Sequence, residues 1–516
     1  MNNNPKEILI RGVNWIGDAV LSIPAIHAVR KAFPDARLSL LVKPWVADIF
    51  RANTDIDEII LYEDRHKGLL GKLRLARTLK DRKFDTAVLF QNAFDAALIA
   101  WLAGIPKRIG YNTDFRKLLL TQAVPLTQDI LTQHQVFYYL NIVRALGAEA
   151  VEAEPYLSVN PDERERANRE VESMNASHLP LVGINPGATY GSAKRWLPER
   201  VAELIISIKD TLNGNVILFG SRSEAATANE IISTIAARST HMSDYRSHVL
   251  NTAGKTGLRE LAALISQCDV FVTNDSGPMH MASALFVPTV AIFGSTNRKT
   301  TGPSGHGHRV ISKDLPCAPC MKRECPEGHL RCMTEVGAGE VFGAVKSLLP
   351  HEKAVFLDKD GTLIEDRNYL NSFDDLVVLP HVKECLPRLK EKGYKLIGIT
   401  NQSGIARGIV DETFVRESNA YLEKELGIDD FFYCPHHPDE HCACRKPEPL
   451  LLLRARIKHS VNLKKSFVIG DKESDVRLAA NTGARGVLIS AVPPESTCAS
   501  YVAKDLKDAV AWILEQ

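Results

Sequence analysis

Several short strings in this 516-residue chain bring together side chains able to do chemistry. The most specific is Ala354–Leu363 (AVFLDKDGTL), where Asp358 and Asp360 stand at i and i+2 behind an apolar run. Residues two apart on a strand face the same way, so both carboxylates arrive together at a strand end. Asp358 can attack phosphorus, while Asp360 gives a proton to the leaving oxygen and later activates water. Carboxylates do not approach a phosphate dianion unaided, and the pair therefore calls for Mg2+. Other strings supply the rest. Thr400 and Asn401 can bind phosphoryl oxygens, Arg445 and Lys446 offer cations, and the acidic Asp471–Asp475 stretch places Asp471 beside Asp358 and Asp360 as a metal ligand.

Two cysteine groups add metal chemistry. Cys434 and His436, then Cys442 and Cys444, form two i, i+2 pairs on a loop with few apolar residues of its own. Four such ligands make a closed structural zinc site, with no open position for a reactive water. The loop would also fix Arg445 and Lys446, which follow Cys444 directly. Cys317, Cys320, Cys325 and Cys332 lie among Pro316, Pro319 and Pro326. Their spacing is compatible with zinc, an iron–sulfur cluster, disulfides or unligated thiols.

The first 350 residues carry anion-binding strings. In Arg11–Asp18 (RGVNWIGD), Gly12 and Gly17 permit a tight strand-to-helix turn. Asp18 reads as a general base or as an acidic helix cap. In Pro186–Trp196 (PGATYGSAKRW), Lys194 suits a diphosphate as a point charge. In Val272–His280 (VTNDSGPMH), Ser276 and the following helix N-terminus can bind phosphate, Gly277 lets a backbone approach closely, and Asp275 and His280 can orient a sugar.

Positioning these groups takes parallel sheets wrapped by helices, because ligands of open α/β folds gather at the carboxyl ends of strands. Apolar runs at Glu7–Arg11, Leu38–Val42 and Ala87–Phe90 make a first series. Leu181–Asn185, Asn215–Gly220, Val270–Asn274 and Thr289–Gly294 make a second. Ala354–Leu357, Lys395–Thr400, Phe467–Gly470 and Gly486–Ile489 make a third. A helix is expected over Ala19–Phe33, and another near Ala338–Leu349 ends at Pro350, the main boundary. The polar stretch Asn160–Ser177 separates the first two series. Expected domains are therefore 1–165, 166–350 and 351–516.

With 63 Lys+Arg against 62 Asp+Glu, bulk electrostatic binding to nucleic acid is not expected. Residues 1–150 hold 20 basic and 15 acidic side chains, net +5, and 351–516 hold 23 and 26, net −3. The first lobe is thus the better partner for an anion; Lys107, Arg108, Arg116 and Lys117 are candidates, with a solvated basic face the equal alternative. The polar N-terminus carries no secretory pattern and no apolar run reaches the roughly 20 residues of a spanning helix, so the expected location is cytoplasmic, at most peripheral to a membrane.

Residues 6 to 348 resemble the ADP-heptose:lipopolysaccharide heptosyltransferases, two-lobed GT-B enzymes. The carriers are Trp15-Ile16-Gly17-Asp18, Pro186-Gly187 with Ala193-Lys194-Arg195-Trp196, and Asn274-Asp275-Ser276-Gly277 with His280. The tryptophan is closer to type II enzymes. The resemblance implies Asp18 as the base acting on an acceptor hydroxyl, Lys194 against the leaving diphosphate, Asp275–His280 in the donor pocket and Glu224 on the ribose. It implies inversion without a metal, ADP-heptose as donor, and the phosphorylated lipopolysaccharide core at the membrane surface as acceptor.

Residues 353 to about 495 carry the motifs of the haloacid dehalogenase superfamily. They look like D-glycero-D-manno-heptose 1,7-bisphosphate phosphatases through Thr400–Gly408 (TNQSGIARG) and Cys434–Pro438. Histidinol-phosphate phosphatases share both signatures, which leaves that substrate open. A sugar-nucleotide binding module without turnover is the alternative for the first half. The fold implied is α/β: two Rossmann-like lobes followed by a haloacid dehalogenase-like domain with a zinc loop.

Overall fold

A computed structural model describes residues 4–149, 153–174, 179–238, 245 and 247–516 of the chain. The polar stretch Asn160–Ser177 runs, at its end, outside the described residues. The chain divides into two compact units, Met1–Leu349 and Pro350–Gln516.

The first unit contains two parallel sheets. One is built from β1 (Glu7–Arg11), β2 (Arg37–Val42), β3 (Glu58–Leu61), β4 (Thr86–Leu89), β5 (Lys107–Tyr111) and β6 (Gln122–Val124), in the order β3-β2-β1-β4-β5-β6. The other holds β7 (Leu181–Asn185), β8 (Asn215–Leu218), β9 (Val249–Asn251), β10 (Val270–Asn274), β11 (Thr289–Phe293) and β12 (Arg309–Ser312), in the order β12-β11-β10-β7-β8-β9. The second unit has β13 (Lys353–Leu357), β14 (Tyr394–Asn401), β15 (Asp430–Cys434), β16 (Phe467–Gly470), β17 (Arg485–Ile489) and β18 (Tyr501–Ala503), in the order β15-β14-β13-β16-β17-β18. Every pairing is parallel. Counted from its own first strand, each sheet runs 3-2-1-4-5-6, the order of a dinucleotide-binding fold.

Side-chain alternation sets the layers. In β1, Ile8 and Ile10 join Ala19, Ile26, Leu140 and Val143 in one core. Leu9, facing the other way, joins Leu75, Leu79, Ala97 and Ala100 in a second. Burying a side chain of this size contributes about 1.5–3 kcal/mol, so this two-sided burial fixes the strand register.

Two boundaries differ from the sequence expectation. The helix expected over Ala19–Phe33 is two helices, Ile16–Leu21 and Ile23–Ala32. Pro24, near the start of the second, has no N–H to continue the ladder. The expected division at 165/166 falls inside helix Pro161–Glu172. That helix is held to the second lobe by Glu163, which receives Arg259 Nε at 2.9 Å and Nη2 at 2.5 Å.

The basic side chains of the first lobe also need correction. Arg116 is fully buried, donating to Tyr111 O at 2.8 Å, Asn92 Oδ1 at 2.8 Å and Gln91 O. Arg108 donates to Leu119 O at 2.7 Å and to Ile105 O. Both guanidiniums satisfy backbone carbonyls of their own lobe rather than awaiting an acceptor. Arg116→Ala would leave one buried and two part-buried acceptors unpaired and is expected to cost about 3 kcal/mol, read from the urea midpoint of the first unit. Lys117→Ala, at an exposed position, should stay within about 0.5 kcal/mol of wild type.

Candidate active sites

In the first unit the catalytic candidates meet where the two lobes touch. Asp18 is half-buried in the first turn of helix Ile16–Leu21, directly after β1. Helix Gly277–Ala284, directly after β10, comes so close that a Cβ on Gly17 would lie 2.7 Å from His280 Cδ2. A Cβ on Gly277 would lie 2.9 Å from Ile16 Cβ. The close approach that Gly277 allows is therefore that of the first lobe's Ile16.

Lys194 ends the turn Ser192–Lys194 and sits over the Tyr190 ring, with Nζ 4.5 Å from its centroid. Its Nζ donates to Asp275 Oδ2 at 2.5 Å, and Thr296 Oγ1 donates to the same oxygen at 2.5 Å. Burial raises the Asp18 carboxyl pKa, a hydrogen bond from Tyr139 lowers it, Asp275 raises it and Lys194 lowers it, with a net upward shift. Asp18, Lys194 and Asp275 thus share one electrostatic neighbourhood, and Tyr139 and Thr296 complete it. Neither of these last two lies in a string that marks itself in the sequence.

The other donor-side residues mostly organise the loops. Asn274 Nδ2 donates to Pro186 O at 2.6 Å and its Oδ1 accepts from Trp196 N at 3.2 Å, which joins the two glycine-containing segments. Ser276 Oγ lies 3.0 Å from Thr273 Oγ1 and accepts from Asn185 Nδ2 at 3.4 Å. His280 is buried, its Nδ1 has no partner, and burial pushes its pKa down to about 4, so the ring stays neutral. Glu224 Oε2 accepts from Ser221 N at 2.8 Å, while Oε1 would stand 1.9 Å from a Cβ on Gly187. Glu224 thereby reaches the same loop as Lys194, and a side chain at 187 would have to displace its carboxylate.

In the second unit Asp358 and Lys359 follow β13, and Asp471 follows β16. Lys446, almost wholly buried, places Nζ 2.7 Å from Asp358 Oδ1 and 2.7 Å from Asp475 Oδ1, and donates to Ile399 O at 3.1 Å. Asp358, Asp471 and Asp475 offer oxygens that all lie within 4.8 Å of one another. Burial raises the carboxyl pKa of Asp471, and that of Asp475 to about 6, since both stand beside Asp358. A divalent cation fits this oxygen set, whose mutual repulsion Lys446 offsets only in part.

Asp360 is turned elsewhere. Its Oδ2 accepts from Gln402 Nε2 at 2.8 Å and Thr400 Oγ1 at 3.3 Å, and burial raises its pKa. The carboxylate set that converges therefore contains Asp475 where the sequence reading put Asp360, whose raised pKa suits proton transfer. Thr400 thus reaches Asp360. Asn401 accepts from Lys446 N at 3.0 Å and fastens the Arg445–Lys446 segment to β14. Arg445 leaves Nη1 buried and unpartnered.

The four zinc candidates converge beside this site. Cys434 Sγ lies 3.5 Å from Cys442 Sγ and 3.7 Å from His436 Nδ1, Cys444 Sγ lies 3.1 Å from His436 Nδ1, and Cys444 Sγ lies 3.6 Å from Cys442 Sγ. Bond lengths of about 2.0–2.3 Å around a tetrahedral zinc give ligand separations of about 3.3–3.8 Å, which these distances approximate.

The fold and these constellations define an α/β chain with two enzyme units, a two-lobed glycosyltransferase and a haloacid dehalogenase-like hydrolase. The sequence profile of glycosyltransferase family 9 (heptosyltransferase) matches residues 72–331, and that of HAD-hydrolase-like proteins matches residues 443–509. The chain is 29% identical over 354 residues to lipopolysaccharide heptosyltransferase 2 of Salmonella typhimurium, covering 67% of this chain and 99% of that protein. It is 40% identical over 173 residues to D-glycero-beta-D-manno-heptose-1,7-bisphosphate 7-phosphatase of Helicobacter pylori, covering 32% of this chain and 99% of that protein. The structure of Escherichia coli ADP-heptose lps heptosyltransferase II matches with a TM-score of 0.56 at 28% identity, over 66% of this chain and 98% of that one. The chain belongs to glycosyltransferase family 9 through its first unit and to the heptose-bisphosphate phosphatases through its second.

Among the described residues, Lys446 is the single cation paired with both Asp358 and Asp475. Lys446→Met, which keeps the apolar stem and removes the charge, is expected to lower phosphatase kcat at least 100-fold and to leave glycosyl transfer unchanged. Assays of both activities on one preparation check this.

Proposed function

We propose that the chain carries out two reactions of lipopolysaccharide inner-core synthesis. The first unit transfers L-glycero-D-manno-heptose from its ADP donor to the core. The second removes the 7-phosphate of D-glycero-D-manno-heptose 1,7-bisphosphate. The observation that carries the first reading is the close approach of the Ile16–Leu21 helix to helix Gly277–Ala284, which puts Asp18 in electrostatic reach of the Lys194–Asp275 pair. Asp18 takes the proton of an acceptor hydroxyl, and its raised pKa makes it a stronger base than an exposed carboxylate. Lys194 faces the leaving diphosphate. In the free enzyme Asp275 and Thr296 keep its ammonium at the site, a preorganisation that does not have to be built during the reaction. Asp275, Ser276, Gly277 and His280 shape the donor pocket, and Glu224 is placed for the ribose.

In the second unit Asp358 is the nucleophile toward phosphorus, and Lys446 holds it in line and offsets charge on the phosphoryl oxygens. Asp360, positioned by Gln402 and Thr400, protonates the departing oxygen and then accepts a proton from water. Thr400, Asn401 and Arg445 line the phosphate side. Asp358, Asp471 and Asp475 would hold Mg2+, which when bound supplies charge neutralisation for the incoming phosphate. Cys434, His436, Cys442 and Cys444 would hold a structural zinc that fixes Arg445 and Lys446.

The acceptor reading places the first unit at the cytoplasmic face of a membrane. No helix of the described residues is long and apolar enough to cross one. Support for peripheral binding comes from Phe115 and Leu118, 96% and 93% exposed, with Lys117 between them and half-exposed Trp101 on the neighbouring helix Phe94–Leu102.

Parallel assays of heptose 1,7-bisphosphate and histidinol phosphate test the phosphatase reading, with at least a 100-fold preference in kcat/KM for the heptose ester expected. A preference for histidinol phosphate would overturn it. For the transferase, Tyr139→Phe removes a hydrogen bond that favours the charged form of Asp18. The acid limb of its pH–rate profile should therefore move to higher pH, with activity lost earlier as pH falls. An unmoved limb would remove Asp18 from the role of base.

A further inference from the structure

The segment Lys313–Arg331 is a long excursion without a core of its own, since none of its residues is buried. A cross-link or an ion would stabilise such a stretch. All ten cysteines of the chain are free thiols, and four of them, Cys317, Cys320, Cys325 and Cys332, belong to this segment or close it. Cys332 is buried at its base, where its Sγ would lie 3.0 Å from a Cβ on Gly294, just after β11. Cys325, Cys320 and Cys317 are the thiols in electrostatic reach of Cys332.

The polar groups around the sulfurs are those a thiolate set requires. Leu330 N donates to Cys325 Sγ at 3.4 Å, and His329 Nε2 lies 4.0 Å from Cys317 Sγ. His329 Nδ1 accepts from Arg331 N at 3.0 Å. The neutral ring therefore carries its proton on Nε2, which places His329 as a donor toward sulfur rather than as a ligand. Donors of this kind orient and stabilise metal-bound thiolates.

We propose that Cys317, Cys320, Cys325 and Cys332 bind one tetrahedral zinc-class ion, distinct from the zinc of the second unit. Binding releases the thiol protons to solvent. It draws the half-exposed Cys317, Cys320 and Cys325 onto Cys332, because the four sulfurs do not all lie within 4.8 Å of one another as the Cys434 set does.

The ion has a structural consequence for the donor site. The residues between the second and third ligands grip the Lys194 turn. Arg323 O accepts from Ala193 N at 3.0 Å, Tyr190 Oη donates to Met321 O at 3.1 Å, and Met321 N donates to Ser295 O at 2.7 Å. Gly191 lies so close that a Cβ there would be 2.2 Å from Arg323 O. Fixing Cys320 and Cys325 thus fixes the turn that presents Lys194.

The test is elemental analysis for zinc and iron on the purified full chain and on Cys325→Ser and Cys442→Ser. Two equivalents of zinc in wild type, falling to one in each variant, supports the proposal. One equivalent lost only in Cys325→Ser also supports it while removing the zinc of the second unit. An unchanged metal count in Cys325→Ser overturns it, as does iron with acid-labile sulfide, which would make the site a cluster. Phosphatase kcat/KM in Cys325→Ser should equal wild type, showing that the second unit is folded, and an unchanged far-UV circular dichroism spectrum of the full chain shows the same of the first. If the donor reading above holds, the Kd for ADP rises at least tenfold in that variant. An unchanged Kd with zinc lost would confine the ion to the loop and deny it the positioning role.

Discussion

The reactive groups of this chain gather where a parallel sheet reverses its strand order. Between the first and fourth strands of each sheet, the following segments leave toward opposite faces and open a crevice beyond the carboxyl ends of the strands. Asp18 follows β1, Pro186–Lys194 follow β7, Asp275 follows β10, Asp358 follows β13 and Asp471 follows β16. The same constraint therefore builds a site shared by two lobes in one unit and a self-contained site in the other.

What differs is how each site manages buried charge. In the transferase unit, one lysine meets one aspartate at 2.5 Å, and a second carboxylate, Asp18 of the other lobe, stands in electrostatic reach of both. In the phosphatase unit, one lysine serves two aspartates at 2.7 Å each, and a third carboxylate stands within the same cluster. Three carboxylates and one ammonium leave an excess of negative charge that a divalent cation would balance.

The sequence made the strand-terminal residues legible because an apolar run followed by Gly, Asp or Ser is both a local pattern and a ligand site. It was weaker for edge strands such as β6, β9 and β18, which are three residues each and carry too little periodicity to register. It missed Tyr139 and Thr296, whose roles come from side chains meeting across elements, and it read the amide of Gln402 as a phosphoryl ligand rather than as a donor to Asp360. It misread Arg116, since a basic residue near the surface in sequence is indistinguishable from one that caps buried carbonyls until the turn around it is known. Asp475 was visible in its acidic string, and its buried pairing with Lys446 was not.

The central claim is that one chain holds two sites that work through separate residues. The most direct measurement assays heptosyl transfer and heptose-bisphosphate hydrolysis on the same preparations of Asp18→Asn and Asp358→Asn. Loss of transfer alone in the first, and of phosphate release alone in the second, is the predicted result. Loss of both activities from either single substitution would contradict it.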